Sequence, residues 1–225
     1  MRTYMTDEKK KGKIVIISGF SGAGKGTVVK KLMETFDNYK LSVSMTTRKP
    51  RENEEHGVNY FFVTNEEFEE TIGRGGLLEY ARYGDHYYGT PRDYVEQNLE
   101  SGNNVILEIE VQGAEQIMKL YPDTVSIFLA APTAEELEHR LVGRGSESRE
   151  EITKRLMTGM KEAEKMHLYD YVLINKDLDE CVAELDRIVR GDTQDHRYRR
   201  SFKERFVKDM ERIVKKRTGI GSHKD

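Results

Sequence analysis

The chain lacks the features of disulfide-stabilised, secreted and membrane-spanning proteins. Cys181 is the single cysteine among 225 residues, which excludes an internal disulfide framework and a cysteine-based zinc cluster. Its longest apolar runs, such as 14–17 and 127–131, fall far short of the roughly 20 residues that a membrane-spanning helix needs. The polar N-terminus, 1–12, has no apolar segment behind it that would serve as a signal peptide. We therefore expect a cytoplasmic protein in which Cys181 is a small buried apolar side chain.

Charged residues are abundant but unevenly distributed. They make up 34% of the chain and hydrophobic residues 36%, so a core can be buried beneath a heavily ionised surface. The formal net charge is −3, yet 191–225 contains eleven Lys and Arg against six Asp and Glu. No internal repeat or low-complexity linker divides the chain. The sequence therefore predicts one fold unit of ordinary size with a basic tail.

Apolar β-branched runs alternate with stretches of helical periodicity, which is typical of an α/β fold with a parallel sheet covered by helices. We predict buried strands over 14–18, 105–111, 125–130 and 171–175. We predict helices over 113–120, 133–142, 148–168 and 178–189. Between 41 and 89 the pattern changes to short strands at 41–45, 60–63 and 77–83 and one brief helix near 66–72. That change indicates an inserted α+β lobe.

The basic tail contains a second helical pattern. Its apolar residues recur at spacings of 4, 4, 3 and 1, which predicts one amphipathic helix of roughly 20 residues from Tyr198 onward. These residues are Phe202, Phe206, Met210, Ile213 and Val214. Two interpretations remain open: a helix packed on its own domain, or a contact surface for a second copy or an anionic partner.

A glycine-rich segment follows the first predicted strand and opens a predicted helix. It reads GFSGAGKGT and fits G-x-x-x-x-G-K, a phosphate-binding loop. Its glycines allow successive N–H groups to turn inward, the helix start adds its positive end, and Lys25 supplies a charge for the outer phosphates of a nucleoside triphosphate. The residues expected to hold the triphosphate are Gly19, Phe20, Ser21, Gly22, Ala23, Gly24, Lys25, Gly26 and Thr27.

The position after the lysine departs from the usual pattern. Ser or Thr normally stands there to hold Mg²⁺, but this chain has Gly26 and then Thr27. We expect Thr27 to reach the metal ion directly or through a water molecule.

A second cationic segment lies inside the inserted lobe. Residues 44–51 read SMTTRKPR, and they are followed by Glu54, Gly57, Tyr60 and Phe61. Two arginines and a tyrosine hydroxyl around a proline-stiffened turn suit a dianionic monophosphate, since guanidinium groups offer planar paired donors. Taken alone, the segment is equally well interpreted as a solvated basic loop.

Together these motifs resemble the guanylate kinase family of P-loop nucleoside monophosphate kinases, over about 13–189. The resemblance is carried by GFSGAGKGT, SMTTRKPRENEEHGVNYFF, LLEYARYGDHYYGTP, ILEIEVQG, RLVGRGSES and INKDLDE. It implies a three-layer P-loop core (13–43 and 91–190), a GMP-binding lobe (44–90) and a short lid (about 140–155). The flexible N-terminus, 1–12, and the tail, 191–225, lie outside that domain.

The resemblance also implies how GMP is held. Its phosphate is bound by Arg48, Arg51, Tyr60 and Tyr88, and its guanine by Ser44, Glu79 and Thr90. Guanine presents adjacent N1–H and N2–H donors that one carboxylate accepts together, and adenine lacks that pair. Glu79 is therefore expected to decide base choice, the alternative being a surface carboxylate on a strand.

Two further groups complete the implied site. Glu108 and Glu110, two apart on the predicted strand 105–111, share a face near the end of the sheet, where one would contact GMP and the other the hydrated metal ion. Arg140, Arg144 and Arg155 match the lid arginines, and Asn175 matches the adenine pocket, although a strand-end turn is a fair alternative for Asn175.

The implied reaction moves the γ-phosphoryl group of MgATP onto GMP, and also onto dGMP, without a covalent intermediate. Lys25, Arg48, Arg144 and Arg155 are expected to be catalytic, through positioning and charge neutralisation. The expected partners are ATP and GMP, with no nucleic acid and no membrane, in a monomer or homo-oligomer. Alternatives are a kinase for another nucleoside monophosphate and a non-catalytic binding module.

Overall fold

The structure is a computed structural model that describes residues 11–143, 148–192 and 200–218. Its strands are β1 (Ile14–Gly19), β2 (Tyr39–Leu41), β3 (Met45–Thr46), β4 (Phe61–Phe62), β5 (Leu77–Tyr83), β6 (His86–Pro91), β7 (Asn104–Leu107), β8 (Val125–Ala130) and β9 (Tyr171–Ile174). Its helices are α1 (Lys25–Thr35), α2 (Asn65–Gly73), α3 (Arg92–Glu100), α4 (Val111–Leu120), α5 (Ala134–Gly143), α6 (Arg149–Ala163), α7 (Leu178–Arg190) and α8 (Arg200–Thr218). A 3₁₀ turn, Met166–Leu168, lies between α6 and β9.

The core of the described chain is a parallel sheet with strand order β2-β7-β1-β8-β9. β1 is central and all its residues are buried, as expected for an apolar strand covered on both faces. Because β1 and β7 are adjacent and parallel, their carboxyl ends lie side by side. The glycine-rich loop after β1 and Glu108 after β7 therefore meet at one edge of the sheet, where ligands of open α/β sheets bind.

The inserted lobe has a smaller sheet, with order β4-β3-β6-β5 among the described residues. β5 and β6 form an antiparallel hairpin that places Glu79 opposite Thr90. β3 pairs with β6, so that Thr46 lies opposite Tyr88. The hairpin therefore brings together residues predicted for the phosphate and for the base of the acceptor.

The predicted strand 41–45 is wrong as a single element. Its beginning belongs to β2, which pairs with β7 in the core sheet, and its end belongs to β3 in the lobe sheet. Residues 42–44 cross from one sheet to the other, and the N–H of Ser42 still donates to the carbonyl of Ile106 at 2.9 Å. One apolar run therefore serves two sheets, which periodicity cannot reveal.

The predicted strand 105–111 also ends early. β7 stops at Leu107, and Glu110 is the extended residue that caps the N-terminus of α4. The apolar alternation continues beyond the end of β7, because Ile109 still packs against the core. The carbonyl of Ile109 accepts a hydrogen bond from the Ser18 hydroxyl at 2.8 Å. The placement of Glu108 and Glu110 on one strand is therefore wrong, because both follow β7, although Glu110 still acts on the pKa of Glu108.

Other differences have local causes. β6 and α3 were not predicted, because β6 contains Gly89 and Pro91 and α3 buries only Val95 and Leu99. The predicted helix 148–168 ends at Ala163 and continues as the separate 3₁₀ turn.

The amphipathic helix predicted in the tail is confirmed as α8. All five apolar residues of the pattern are buried in the same core as the sheet. α8 packs against α5 and α6 of its own chain, so its apolar face is not available to a second copy. Cys181 is likewise buried, as predicted. Within the described ranges, no helix combines the length and the apolar character needed to cross a bilayer.

Shortening a buried side chain at the centre of α8 should destabilise the whole domain. Met210 is fully buried, and Met210→Ala should lower the free energy of unfolding by about 2–4 kcal/mol, because it removes apolar contacts and leaves a cavity. Lys208→Ala, on the exposed face of α8, should change it by less than about 0.5 kcal/mol. Urea denaturation measures both, and equal midpoints for the two variants would contradict the packing of α8 described here.

Candidate nucleotide-binding site

The loop between β1 and α1 has the backbone of an anion cradle. Gly22 and Gly24 have φ values of 92° and 94°, in the left-handed region that favours glycine. Gly24 is the N-cap of α1, and a Cβ atom placed on it would lie 2.6 Å from the side-chain nitrogen of Asn175. Both glycines are thus required by the path of the loop, which leads directly into the N-terminus of a helix, where backbone N–H groups and the helix dipole favour an anion.

Lys25 lies against the backbone of this loop. Its ammonium group donates to the carbonyl of Gly19 at 2.8 Å and to that of Phe20 at 3.4 Å. The same charge acts on the Glu108 carboxyl group, whose pKa is raised mainly by burial, lowered by Lys25 and raised by Glu110. One cation and one carboxylate therefore face each other at the edge of the sheet.

Two of the predicted lid arginines and the residue predicted for the adenine pocket hold the loop. The carbonyl of Ala23 accepts from the side-chain amide of Asn175 at 2.9 Å and from Arg140 Nη1 at 3.3 Å. Arg140 also donates to the carbonyl of Asn175 at 3.0 Å. Arg155 Nη1 donates to the Ser21 hydroxyl at 2.6 Å. α5, α6 and the end of β9 thus each contribute a side chain that fixes the loop.

The position that lacks a hydroxyl group has a carboxylate beside it. A Cβ atom built on Gly26 would lie 3.9 Å from Glu108 Oε2, in ordinary van der Waals contact. Thr27 is exposed on the next position of α1. Over the described residues, no three His, Cys, Asp or Glu side chains are grouped so as to hold a metal ion. The single carboxylate of Glu108 beside the phosphate loop suits Mg²⁺. Mg²⁺ is commonly held by one or two carboxylates together with substrate phosphates.

In the lobe, Arg48 forms an ion pair with Glu54, a carboxylate that is not among the predicted site residues. Its Nη1 and Nη2 donate to the two oxygens of Glu54 at 2.8 and 2.9 Å. This pair raises the pKa of Arg48 and lowers that of Glu54. Glu54 also accepts from the backbone N–H of Arg51 at 2.8 Å, which closes the turn. The only sequence signal is the group of three glutamates, Glu52, Glu54 and Glu55, that follows the two arginines.

Two tyrosines join Arg48. Its guanidinium carbon lies 5.4 Å from the centre of the Tyr60 ring, and the rings of Tyr60 and Tyr88 are 6.0 Å apart. Tyr88 also forms a hydrogen bond with Arg48 that raises the pKa of the guanidinium group. Arg51 is exposed beside them. The four residues predicted for the acceptor phosphate therefore lie in one region of the lobe.

Glu79 is a buried carboxyl group, not a surface one. It is 5% exposed and accepts from the Thr90 hydroxyl at 2.6 Å. Burial raises its pKa to about 7, although the hydrogen bonds from Thr90 act in the opposite direction. Gly113 of α4 makes room for it, because a Cβ atom there would lie 2.5 Å from Glu79 Oε2. The helix of the core thus limits where this lobe carboxylate can sit.

The remaining predicted residues are less closely grouped. Ser44 directly precedes β3, and its carbonyl accepts from the N–H of Phe61 at 2.9 Å. Glu110 lies close to Glu162 of α6, and the pKa of Glu162 is raised to about 7 by burial and by the charge of Glu110. Glu162 carries no sequence signal that we recognised. Arg144 lies outside the described residues.

Comparisons with known proteins agree with this geometry. The sequence model of the family described as guanylate kinase matches residues 11–192. The chain is 45% identical over 202 residues to the guanylate kinase of Clostridioides difficile strain 630, which covers 89% of this chain and 98% of that protein. It is 50% identical over 184 residues to the guanylate kinase of Oceanobacillus iheyensis, covering 82% of this chain and 89% of that protein.

A solved structure supports the same conclusion. The crystal structure of guanylate kinase from Anaplasma phagocytophilum matches with a TM-score of 0.67 and 34% identity, over 82% of this chain and 87% of that chain. The resemblance found in the motifs is thereby confirmed, and the parallel sheet with its phosphate loop has the P-loop fold of that relative. By sequence and by fold, this chain belongs to the guanylate kinase family.

Proposed function

We propose that the protein transfers the γ-phosphoryl group of MgATP to GMP, and also to dGMP, giving ADP and the nucleoside diphosphate. The observation that carries this proposal is the pairing of two sites: a phosphate loop with its lysine on the core sheet, and a buried carboxylate beside an arginine and tyrosine cluster on the lobe. Two anionic nucleotides bound there would be held by separate cationic groups. Positioning of that kind is the main contribution a phosphoryl-transfer enzyme makes.

The donor site is formed by the loop and the side chains that fix it. In this proposal the loop N–H groups and Lys25 bind the triphosphate, and Arg140 and Asn175 support the loop from the adenine side. The ATP-binding residues are Gly19, Phe20, Ser21, Gly22, Ala23, Gly24, Lys25, Gly26, Thr27, Arg140 and Asn175.

The acceptor site reads both the phosphate and the base of GMP. Arg48, Arg51, Tyr60 and Tyr88 bind the phosphate, and Glu54 keeps the Arg48 fork in a fixed orientation through its paired hydrogen bonds. Ser44, Glu79 and Thr90 bind the guanine. Glu108 and Glu110 complete the site next to the core.

The metal ion would be held mainly by the phosphates of ATP, with Glu108 and Thr27 contributing oxygen atoms directly or through water. When bound, Mg²⁺ supplies positive charge that offsets the charge of the phosphate oxygens. The chain's own residues do the rest: Lys25, Arg48, Arg144 and Arg155 neutralise and orient the reacting groups. No side-chain nucleophile is needed, because the acceptor phosphate is already anionic at neutral pH.

These roles divide the chain into units that we propose act together. The core is 13–43 and 91–190, the GMP-binding lobe is 44–90, and a lid of about 140–155 carries arginines on both of its flanks. A phosphoryl-transfer assay with ATP and a panel of GMP, dGMP, AMP, UMP and CMP tests the proposal. Use of GMP and dGMP above the others supports it, whereas preference for another monophosphate would refute it.

Removing the loop lysine should abolish most of the turnover without unfolding the protein. Lys25→Ala is expected to lower kcat about 10²- to 10³-fold, because the charge that acts on the transferring phosphoryl group is lost. Lys30→Ala, on the exposed surface of the same helix with only a long ion pair to Glu34, should retain activity. Steady-state kinetics decide the matter, and near-normal turnover of Lys25→Ala would refute the loop assignment.

Removing the exposed arginine of the lobe should affect the acceptor alone. Arg51→Ala is expected to raise KM for GMP about tenfold or more, since one charged contact to the phosphate is lost, and to change KM for ATP by less than about twofold. Lys49→Ala, an exposed cation in the same turn, serves as the control for net charge. An effect of Arg51→Ala on ATP only would contradict its role.

Base choice should depend on the ionisation of Glu79. Since burial raises the pKa of Glu79 to about 7, the carboxylate that accepts from guanine is present above that pH and lost below it. The preference for GMP over AMP, measured as a ratio of kcat/KM values, should fall up to about tenfold from about pH 8 to about pH 6. The ratio cancels the titration of the phosphate common to both nucleotides.

Glu79→Gln provides the matched test, because it keeps the size of the side chain and removes the charge. The variant should show a reduced preference for GMP at every pH and no pH dependence of the ratio. If the ratio for the unchanged protein stayed constant with pH, or the variant behaved like it, the base would be read elsewhere.

A further inference from the structure

Phe20 connects the phosphate loop to the protein interior. Its side chain is fully buried. Its carbonyl accepts from the N–H of Ala23 at 3.0 Å, and its own N–H donates to the carbonyl of Leu129 at 3.3 Å. The backbone of Phe20 therefore belongs to the loop and its ring to the core, so the groups that pack on the ring help to fix the loop.

α8 supplies one of those groups. The ring of Phe206 stacks on that of Phe20, with centres 4.8 Å apart and planes inclined by 4°. Phe128 of β8 meets Phe20 edge-on, at 4.9 Å and 80°. Phe206 is itself 2% exposed. Offset-stacked and edge-to-face pairs of this kind contribute beyond the area they bury.

The end of α8 is fastened to the helices that carry the loop-holding arginines. Arg217 donates to Glu138 of α5 at 2.5 Å and to the Thr153 hydroxyl of α6 at 3.3 Å. Glu138 lies two residues before Arg140, and Thr153 lies two before Arg155. α8 is thus bound to the same two helices, α5 and α6, whose arginines contact Ala23 and Ser21 of the loop. These contacts fix the distance of α8 from the loop.

We propose that Phe206 is a positioning residue for nucleotide binding: its ring holds Phe20, and through Phe20 the loop that receives the triphosphate. The sequence model of the guanylate kinase family matches residues 11–192, so α8 lies beyond it and that model assigns α8 no role. The proposal rests on the function proposed above for the phosphate loop. In this proposal α8 stabilises the conformation of the phosphate loop at the ATP site.

Kinetic constants separate this role from a general loss of stability. Phe206→Ala should raise KM for ATP at least about fivefold and leave KM for GMP within about twofold. The control is Ile213→Ala, which truncates another buried residue on the same face of α8 and should leave both constants within about twofold. Phe206→Leu, which keeps most of the apolar volume, should show the same direction with a smaller rise and provides a second variant if Phe206→Ala does not fold.

Hydrogen exchange gives a readout that does not depend on activity. The Ala23 amide is protected by its bond to the Phe20 carbonyl, so peptides containing Ala23 should exchange faster in the Phe206 variants than in Ile213→Ala. Peptides from α7 should not distinguish them. Equal exchange and equal KM values for ATP in the Phe206 and Ile213 variants would overturn the proposal. If the unchanged protein failed to phosphorylate GMP, the proposed function would fall, and the exchange comparison would still decide the role of Phe206.

Discussion

The conformation of the loop between β1 and α1 is the constraint on which the rest of the structure depends. A loop whose N–H groups point at an anion cannot satisfy them with its own carbonyls, so it must be held by its surroundings. Here the support is distributed. Asn175 and Arg140 hold the carbonyl of Ala23, Arg155 holds Ser21, and the ring of Phe20 is packed in the core. These contacts come from the end of β9, from α5 and α6, and from the core. The conformation of the loop therefore depends on the whole domain.

The lobe follows a different physical logic. Its central group, Glu79, is costly to ionise where it lies, and this cost is what raises its pKa. A buried carboxylate that is accommodated by Thr90 and by the missing side chain of Gly113 is well suited to a partner that offers two donors. The arginine and tyrosine cluster of the same lobe offers positive charge to an anion. In the proposed function, a desolvated carboxylate would bind the base and a charged cluster would bind the phosphate.

Much of this arrangement could be predicted from the sequence where local chemistry decides it. The glycine loop, the strand before it and the amphipathic α8 follow from spacing and residue type, because each is a local pattern with one favourable structure. The crossing of residues 42–44 between sheets, the end of β7 at Leu107 and the hairpin partner β6 depend on tertiary pairing. Three contacts join residues that only folding brings together. These are the ion pair of Glu54 with Arg48, the space that Gly113 leaves for Glu79, and the stacking of Phe206 on Phe20. No local pattern encodes such contacts.

The central claim is that two nucleotides occupy separate sites whose anions are brought face to face. Calorimetric titration of GMP into the protein saturated with magnesium and a non-hydrolysable ATP analogue tests it most directly. The account predicts that GMP still binds, with one molecule taken up per chain while the analogue stays in place. Displacement of the analogue by GMP, so that the two compete for a single site, would contradict it.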